Sequence, residues 1–324
     1  MQAIVYERYG GPSDVLELRE VAAPAPSAGQ ALIRVIASSV NPYDWHFLRG
    51  IPYAMRPISG FVRPRTRILG ADVAGVVEAV GEKVTRLSPG DAVYAEAGSG
   101  AFAEYVAVDQ ERVASAPANI PLEHAAAVPL AGITALQGLR DQAQVKGGQR
   151  VLVIGASGGV GSFAVQIARA WGAEVTGVCS AANAELVESL GATEVIDYGR
   201  ADVTRAGVEY DVVFQLAGTA SASDLERITA PTGTVVMASG DSPGRVFGPI
   251  GRTVVAKLRS PFVDQRISTL VASAKADDLD TLRGMVEAGQ VTPVVSATLP
   301  LADVPEAMQQ METGHTRGKV IVTT

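Results

Sequence analysis

The chain is poor in the side chains that hold transition metals and form disulfides. Among its 324 residues there is one cysteine, Cys179, and there are three histidines, His46, His124 and His315. A single cysteine cannot form an internal disulfide. It also cannot supply the Cys₄ ligand set of a structural zinc site or the Cys₂His set of a catalytic one. The sequence therefore excludes both of these zinc sites.

Long apolar runs and positive charge are also scarce. The apolar stretch 125–139 is interrupted by Pro129 and is shorter than a bilayer span. The first eight residues lack the basic-then-apolar order of a signal peptide. A formal net charge of −7 argues against a nucleic-acid-binding surface as the main activity. We expect a cytoplasmic, soluble protein without a membrane span and without nucleic acid as its main partner.

The first third of the chain has the pattern of a β-barrel. A hydrophobic content of 47% over 324 residues is enough for two domains. Short strand-like runs separated by Gly and Pro occupy Ile4–Tyr9, Val15–Val21, Gln30–Ser39, Val73–Val80, Ala92–Glu96 and Phe102–Val108. Such spacing predicts a compact barrel over residues 1 to about 118, and an alanine-rich helical segment follows from residue 119.

From residue 150 onward, strands and helices alternate. Strands are predicted at 151–154, 174–178, 194–196, 211–215 and 233–238, with helices at about 160–171, 183–190 and 221–229. This rhythm predicts an α/β fold with a doubly wound parallel sheet. The tail has no further βαβ partner, so it is expected to return to the first domain; its predicted elements are helices Asp277–Ala288 and Val304–Glu312 and strands Val294–Thr298 and Lys319–Thr323. The predicted domains are therefore 1–118 with 276–324, and 119–275.

Residues 151–161 are the most informative stretch, because a β-branched run stops at a glycine cluster and a helical pattern follows. This geometry directs backbone N–H groups and a positive dipole end at a phosphate. In the dinucleotide register G-x-G-x-x-G the three key places are Ala156, Gly158 and Gly161. Gly158 lets the backbone approach a pyrophosphate, and Gly161 lets the helix pack closely on the strand. The intervening Ser157, Gly159 and Val160 are predicted to contact the same cofactor.

The same letters also fit a serine hydrolase. Residues 155–159 match G-x-S-x-G, the nucleophile elbow, with Ser157 as nucleophile. That mechanism needs an acid and then a histidine downstream, and His315 is the only downstream histidine. No oxyanion segment of the HGGG type precedes the serine, and Gly161 has no purpose in an elbow. The hydrolase is a remote alternative.

The order of motifs along the chain resembles the medium-chain dehydrogenase/reductase superfamily, and within it the zinc-free quinone oxidoreductase group. The matching pieces, in order, are Asn-Pro-Tyr-Asp at 41–44, Leu-Gly-Ala-Asp at 69–72, Pro-Gly-Asp at 89–91, Ala-Glu-Tyr at 103–105, the glycine loop, Leu-Gly-Ala at 190–192, Val-Ile-Asp-Tyr at 195–198, Tyr-Asp-Val-Val at 210–213 and Lys-Val-Ile at 319–321. Each piece is short, but together they cover nearly the full length.

The resemblance implies a GroES-like catalytic domain, a Rossmann cofactor domain and a nicotinamide-dependent enzyme. Zinc members of the superfamily carry Cys at the place of Asn41, a His-Glu pair at Ala71-Asp72 and a further Cys near Ala131. At least two ligands are therefore missing here, and with them the Lewis acid that stabilises an alkoxide. The remaining chemistry suits hydride transfer to a quinone or to an α,β-unsaturated carbonyl.

The resemblance also implies three catalytic residues. Tyr53 matches a tyrosine of the substrate pocket and is the first candidate for proton donor, while Asn41 and Tyr43 are expected to face the nicotinamide. The alternatives are turn hydrogen bonding for Asn41 and packing for the tyrosines. Asp44 is expected to be structural. Arg49 either binds a phosphate or pairs with Asp44. For His46, a surface role is favoured over proton relay.

The loop after the second strand of the cofactor domain predicts NADPH. NAD enzymes place an acid there, whereas this chain has Cys179 and Ser180, which leave room for a 2′-phosphate. An aspartate at position 179 is accordingly predicted to reverse the preference. Asn183 and Tyr198 match phosphate-contacting positions of relatives, although Asn183 stands where a relative has Lys, which weakens the case. The resemblance implies further cofactor contacts at Thr134, Ala217, Ser239 and Lys319.

Several points remain open from the sequence. The cationic, apolar segment 244–266 fits a substrate lid, a dimer contact or a solvated helix. The leading interpretation is a reductase of lipophilic quinones or enones. There are two alternatives: an enoyl-thioester reductase, and a protein that binds the cofactor without turnover. We expect a homodimer in which strand 234–238 or its successor pairs across a two-fold axis.

Overall fold

The computed structural model of the chain describes residues 1–205, 207–238, 244, 246–247, 251, 264–314 and 316–324. It divides into two compact units. The first comprises Met1–Ile133, Ala274–Gly289 and Pro293–Thr324, and the second comprises Thr134–Ser273 and Gln290–Thr292. Residues 119–133 thus lie in the first unit rather than the second. The reason is local packing: the N–H of Leu130 donates to the carboxylate of Asp72 at 2.8 Å, and Gly132 lies against Leu282.

The first unit is built on a largely antiparallel sheet. Its strands are β1 (Gln2–Val5), β2 (Glu17–Glu20), β3 (Gln30–Ser39), β4 (Asp72–Val80), β5 (Ala92–Glu96), β6 (Tyr105–Asp109), β7 (Val113–Ser115), β14 (Val295–Pro300) and β15 (Lys319–Thr323). The order is β14-β15-β3-β4-β5-β7, with β6 paired to β3, while β1 and β2 form a separate ribbon. This arrangement, together with the return of the C-terminal segment, agrees with the predicted GroES-like domain.

Short helices close this sheet. They are α1 (Pro12–Val15), α2 (Pro42–Arg49), α3 (Arg56–Ser59) and α4 (Leu122–Ala125), and near the C-terminus α9 (Ala276–Glu287) and α10 (Val304–Glu312). The strand predicted at Val15–Val21 begins at Glu17, because Pro12 starts a helical turn that ends at Val15. Two apolar clusters fill the unit. One centres on Ile4, Leu48 and Phe102, and the other on Ile33 and Val73.

The second unit is a parallel sheet of β8 (Arg150–Ile154), β9 (Glu174–Cys179), β10 (Glu194–Asp197), β11 (Tyr210–Gln215), β12 (Thr229–Met237) and β13 (Arg266–Thr269). The strand order is β10-β9-β8-β11-β12-β13. Its helices are α6 (Gly159–Ala170), α7 (Ala184–Ser189) and α8 (Ala222–Glu226), while α5 (Pro129–Gln137) carries the chain from the first unit into the second. The order of strands reverses between β8 and β11, and in doubly wound sheets the ligand binds at that switch point.

One of the two strands predicted to form a dimer contact lies inside the sheet. β12 is paired on both sides, with β11 and with β13, so strand 234–238 has no edge to offer a second subunit. Its successor β13 pairs with β12 and is, with β10, one of the two edge strands of the described sheet, so the predicted contact stays a prediction for β13. No helix within the described ranges is long and apolar enough to cross a membrane. Ser239, His315 and most of the segment 244–266 lie outside the described residues.

Candidate active site

The turn between β8 and α6 is shaped by three glycines. Gly155 follows the strand with φ 91°, a conformation that favours glycine. A Cβ on Gly161 would stand 2.0 Å from the carbonyl oxygen of Gly155, so the helix can approach the strand only without a side chain there. Gly158 is the N-cap of α6, and a Cβ on it would meet nothing closer than that same oxygen at 3.4 Å. The open position is therefore Gly158, where the dinucleotide register requires close approach of a pyrophosphate.

Ala156 and Ala217 complete the walls of this turn. The N–H of Ala156 donates to the carbonyl of Val178 at 3.0 Å, which fastens the loop to the end of β9. A Cβ on Gly155 would lie 2.8 Å from Cβ of Ala217, just beyond β11. The glycine loop and Ala217 thus meet at the switch point of the sheet. Ser157, Gly159 and Val160 are half-buried around the start of α6. These features fit a bound dinucleotide pyrophosphate.

The predicted ribose loop lies beside the glycine loop. The amide of Asn183 donates to Oγ of Ser157 at 3.1 Å, and the N–H of Tyr198 donates to the carbonyl of Cys179 at 3.2 Å. The ring of Tyr198 is 61% exposed, and Ser180 is half-buried. Cys179 is 2% exposed, so Ser180 is the more accessible of the two predicted ribose contacts. An aspartate in place of the buried Cys179 would itself be buried, so Ser180 is the better position at which to test the cofactor preference.

Sequence patterns missed a carboxylate near this loop. Asp197 ends β10 and is the register partner of Cys179 at the end of β9. Its Oδ1 accepts from the N–H of Gly199 at 2.9 Å, and its Oδ2 lies 3.5 Å from Nε of Arg200. Burial raises the pKa of the Cys179 thiol, and Asp197 adds to that effect. The signal was available, since parallel strands in register place the residues that end them side by side.

The remaining predicted cofactor contacts in this unit are described only in part. Thr134 is half-buried within α5. Ser239 lies outside the described residues. Ser157, the nucleophile of the hydrolase alternative, has Asn183 as its hydrogen-bond partner.

A fully bonded polar cluster lies where the resemblance places zinc ligands in other members of the superfamily. The ammonium of Lys319 donates to Oδ1 of Asn41, to the carbonyl of Val40 at 3.2 Å and to Oδ2 of Asp72 at 3.2 Å. The same carboxylate oxygen accepts from Asn41 at 2.9 Å and from Oγ of Ser39 at 2.6 Å. Asn41, Asp72 and Lys319 are each at most 4% exposed.

This geometry changes the roles expected for two residues. The three N–H donors of Lys319 point at protein acceptors, and the amide of Asn41 is used by Lys319, Asp72 and the carbonyl of Ser39. The polar groups of both side chains are engaged within the cluster, so we describe both as positioning residues. The cluster joins the start of β15, the end of β3 and the start of β4. Its charges are compensated, as buried charges must be.

Asp44 and Arg49 belong to the framework of α2. Asp44 accepts from the N–H of Asn41 at 3.0 Å and of Gly70 at 2.9 Å, which confirms the expected structural role. Burial, with a smaller contribution from the charge of Asp72, raises the pKa of Asp44 to about 7, against the lowering effect of its N–H donors. Arg49 pairs with Glu312 at 2.7 Å and not with Asp44. Nδ1 of the half-buried His46 lies 2.9 Å from the carbonyl oxygen of Ile51.

The two candidate tyrosines stand on neighbouring segments of the first unit. Tyr43 is in the first turn of α2, 37% exposed, with its ring centroid 4.7 Å from that of Phe47. Burial, together with the charges of Glu96 and Asp44, raises the pKa of Tyr43 to about 12. Tyr53 follows α2, is 42% exposed, and carries the guanidinium of Arg56 at 4.6 Å from its ring centroid.

The fold and the dinucleotide turn define an oxidoreductase with a GroES-like domain and a Rossmann domain. Two family profiles match the chain: "Alcohol dehydrogenase GroES-like domain" over residues 27–118 and "Zinc-binding dehydrogenase" over residues 190–322. The chain belongs to the medium-chain dehydrogenase/reductase superfamily and, within it, to the quinone oxidoreductase-like group. It is accordingly an oxidoreductase of the nicotinamide-dependent kind.

Relatives of known name cover the whole chain. A chloroplast envelope quinone oxidoreductase homolog of Arabidopsis thaliana is 34% identical, over 99% of this chain and 98% of the relative. An NADPH-dependent alkenal/one oxidoreductase of the same plant is 34% identical, over 99% and 79%. Among solved structures, a quinone oxidoreductase of Pseudomonas syringae pv. Tomato DC3000 has a TM-score of 0.85 at 28% identity, covering 100% of this chain and 99% of that one.

Proposed function

We propose that the protein is an NADPH-dependent, zinc-independent reductase that transfers hydride to a quinone or to the double bond of an α,β-unsaturated carbonyl. The observation that carries this proposal is the cluster of Lys319, Asn41 and Asp72. It puts an ammonium, an amide and a carboxylate, bonded to each other, where the resemblance places zinc ligands in other members. The names of the quinone and alkenal/one oxidoreductase relatives support the same acceptor classes.

The second unit supplies the cofactor site. Gly158 and the first turn of α6 would hold the pyrophosphate, and Gly161 keeps that turn close to β8. Ser180, Asn183 and Tyr198 would hold the ribose and its phosphate. When bound, the reduced nicotinamide supplies the hydride.

The first unit supplies a hydrogen-bond donor for the acceptor oxygen. A pKa of about 12 keeps the phenol of Tyr43 protonated over the physiological range, so it can donate to a carbonyl without ionising first. The phenol of Tyr53, on the exposed segment after α2, is the second donor of the site. Two donors suit a quinone or an enone, because negative charge develops on the carbonyl oxygen as hydride arrives.

NADPH is the proposed reductant over NADH. The loop after β9 has no acid of its own, and the hydroxyl of Ser180 can donate to a phosphate. The nearby Asp197 is paired with Arg200, which offsets its charge. The printed name of the alkenal/one oxidoreductase relative, which specifies NADPH, agrees with this preference.

Turnover by metal-free protein is the test. Protein purified without added zinc is assayed for loss of NADPH absorbance with a panel of quinones, enones and enoyl thioesters, in the presence and absence of a chelator, and its zinc content is measured. We expect quinones or enones to be reduced, far less than one zinc per chain, and no effect of the chelator. Chelator-sensitive activity with stoichiometric zinc, or reduction of enoyl thioesters alone, would contradict the proposal.

A further inference from the structure

A cavity in the first unit adjoins the candidate donor Tyr43. Its volume is about 180 Å³, and its lining includes Tyr43, Phe47, Leu69, Ala97 and Arg112. A cavity of roughly 150 Å³ is enough for a benzene ring. The space therefore accommodates one six-membered ring or a short enone. Its wall contains aromatic and aliphatic side chains, the hydroxyls of Thr66 and Ser99, and the cation Arg112.

That cation is paired. Arg112 ends the turn after β6, and its Nη2 donates to Oε2 of Glu96, the last residue of β5. The two side chains are 32% and 13% exposed. Burial raises the pKa of Glu96, while the charge of Arg112 opposes that shift. Within the part of the chain that the structure describes, the buried Nε of Arg112 has no acceptor.

Gly98 leaves this ion pair uncovered. It has φ 77°, and a Cβ there would stand 3.3 Å from Nη2 of Arg112 and 3.7 Å from Oε1 of Glu96. Gly98 and Arg112 both line the cavity. A larger residue at this place would lie over the pair, whereas glycine keeps the guanidinium at the cavity wall.

We infer that this cavity receives the carbonyl end of the acceptor and that the Glu96–Arg112 pair restricts it to uncharged acceptors. The inference rests on the proposed reductase function and names the substrate class of that same site. The guanidinium and the phenol of Tyr43 offer N–H and O–H donors to a carbonyl oxygen. The charge of Glu96 cancels that of Arg112, so a carboxylate in the acceptor gains nothing from the cation and is repelled by its partner.

If the ion pair sets the preference for uncharged acceptors, the substitution Glu96→Gln should alter that preference. In Glu96→Gln the amide can still accept a hydrogen bond from Arg112, but the cation loses its counter-charge. Acceptors that carry a carboxylate then gain an attraction that neutral acceptors do not. A change in folding or in cofactor binding would affect both acceptors alike, so the ratio between them isolates the charge of the cavity.

The experiment uses two acceptors with one skeleton, 4-oxo-2-pentenoate and its methyl ester, at saturating NADPH. The ratio of kcat/KM for ester over carboxylate is measured in the full chain, in Glu96→Gln and in Glu78→Gln. Glu78 pairs with Arg34 on the exposed surface of the same unit, so this control removes the same charge elsewhere. We expect the unmodified protein to favour the ester, and Glu96→Gln to shift the ratio at least tenfold toward the carboxylate through KM, with Glu78→Gln unchanged.

A second variant tests the cavity itself. Ala97→Leu fills part of the space, so we expect KM to rise for both acceptors while their ratio stays the same. Turnover with an unchanged ratio in Glu96→Gln, or an unaffected KM in Ala97→Leu, would overturn the inference and leave the proposed function standing. Absence of turnover with both acceptors in the unmodified protein would overturn the proposed function and the inference with it.

Discussion

Asp44 is a buried carboxyl whose ionisation works against the fold. It caps α2 and accepts two backbone N–H groups, yet burial raises its pKa to about 7, well above the roughly 3.9 of an exposed aspartate. Between these two pH values the folded state binds more protons than the unfolded state. The contribution of this group to the free energy of unfolding is therefore largest below about pH 4, and it is lost as the pH rises through about 7.

Asp44→Asn should remove this dependence. Between pH 4 and pH 7, we expect the free energy of unfolding to decline in the unmodified protein more than in Asp44→Asn. The difference between the two declines should be on the order of a few kcal/mol. Denaturant titrations at several pH values measure the difference.

Asp224 provides the control of opposite sign. Hydrogen bonds from Ser221 lower its pKa to about 2, so its contribution is present above pH 4 and is lost as the pH falls. Equal pH profiles for the unmodified protein and Asp44→Asn would show that Asp44 ionises freely in the fold.

Ser180 is the residue at which we expect a substitution to change the cofactor preference. An aspartate there offers an acceptor to a ribose hydroxyl and repels a 2′-phosphate, so we expect Ser180→Asp to shift the ratio of NADPH to NADH affinity at least tenfold toward NADH. Tenfold corresponds to about 1.4 kcal/mol. Fluorescence titration with both reduced cofactors measures it, and Ser189→Asp adds the same charge on the exposed surface of α7. Equal shifts in the two variants would place the ribose elsewhere.

The sequence identified individual residues of the candidate site more accurately than it identified the contacts those residues make. The motif around Asn41 identified its place in the family, but its partner Lys319 lies 278 positions away and no spacing in the sequence reveals such a contact. Arg49 was assigned to a phosphate or to Asp44 because both are near in sequence, whereas its partner is Glu312, 263 positions away. Asp197 was missed because the search for an acid followed β9 alone, while the acid stands at the end of β10.

At the scale of elements, the contact between β8 and α6 depends on one missing methyl group. In Gly161→Ala the new Cβ would approach the carbonyl oxygen of Gly155 to 2.0 Å and Cα of Ala156 to 2.8 Å. Backbone atoms cannot move aside cheaply, so we expect a loss of about 1–3 kcal/mol in the free energy of unfolding and weaker cofactor binding.

Gly284→Ala is the matched control, because Gly284 lies inside α9 and a Cβ there meets nothing within 4 Å. We expect this second substitution to stabilise the protein by about 0.4–1 kcal/mol. Urea titrations of both variants provide the comparison, and a neutral Gly161→Ala would contradict the close packing of α6 on β8.

The ammonium of Lys319 links the ends of three neighbouring strands, β15, β3 and β4. Lys319→Met keeps most of the side-chain volume but leaves Asp72 buried without its cation, so we expect a loss of about 3–5 kcal/mol. The exposed Lys83→Met should stay within about 0.5 kcal/mol of the unmodified protein. Thermal and urea unfolding measure both variants. A small effect of Lys319→Met would mean that Ser39, Asn41 and the N–H of Leu130 suffice to stabilise the carboxylate.

Elements with a clear period were predicted well. The bounds of β3, β5, α10 and β15 agree residue for residue with the expected ones, because apolar positions alternate or recur at helical spacing and turn residues flank them. Residues 119–133 were assigned to the wrong unit, since composition changes at residue 119 whereas packing changes near residue 134. The alanine-rich pattern identified helices but contained no information on which sheet they pack against.

At the scale of the whole molecule, the proposed chemistry is divided between the two units. The second unit has the dinucleotide turn at the switch point of its sheet, and the first has the tyrosines and the ion-paired cavity. Where the resemblance places zinc ligands in other members of the superfamily, this chain has the buried ammonium of Lys319 bonded to Asn41 and Asp72. This arrangement supports the proposed preference for acceptors that are already electron-poor.

The most direct test of this account is to follow the hydride itself. NADPH carrying deuterium at the transferred position of C4 is incubated with the protein, a chelator and a methyl-ester enone, and the product is analysed by mass spectrometry. The account predicts one deuterium on the carbon β to the carbonyl and none when the chain is omitted. Oxidation of NADPH without deuterium in the product, or transfer that stops when the chelator is added, would contradict it.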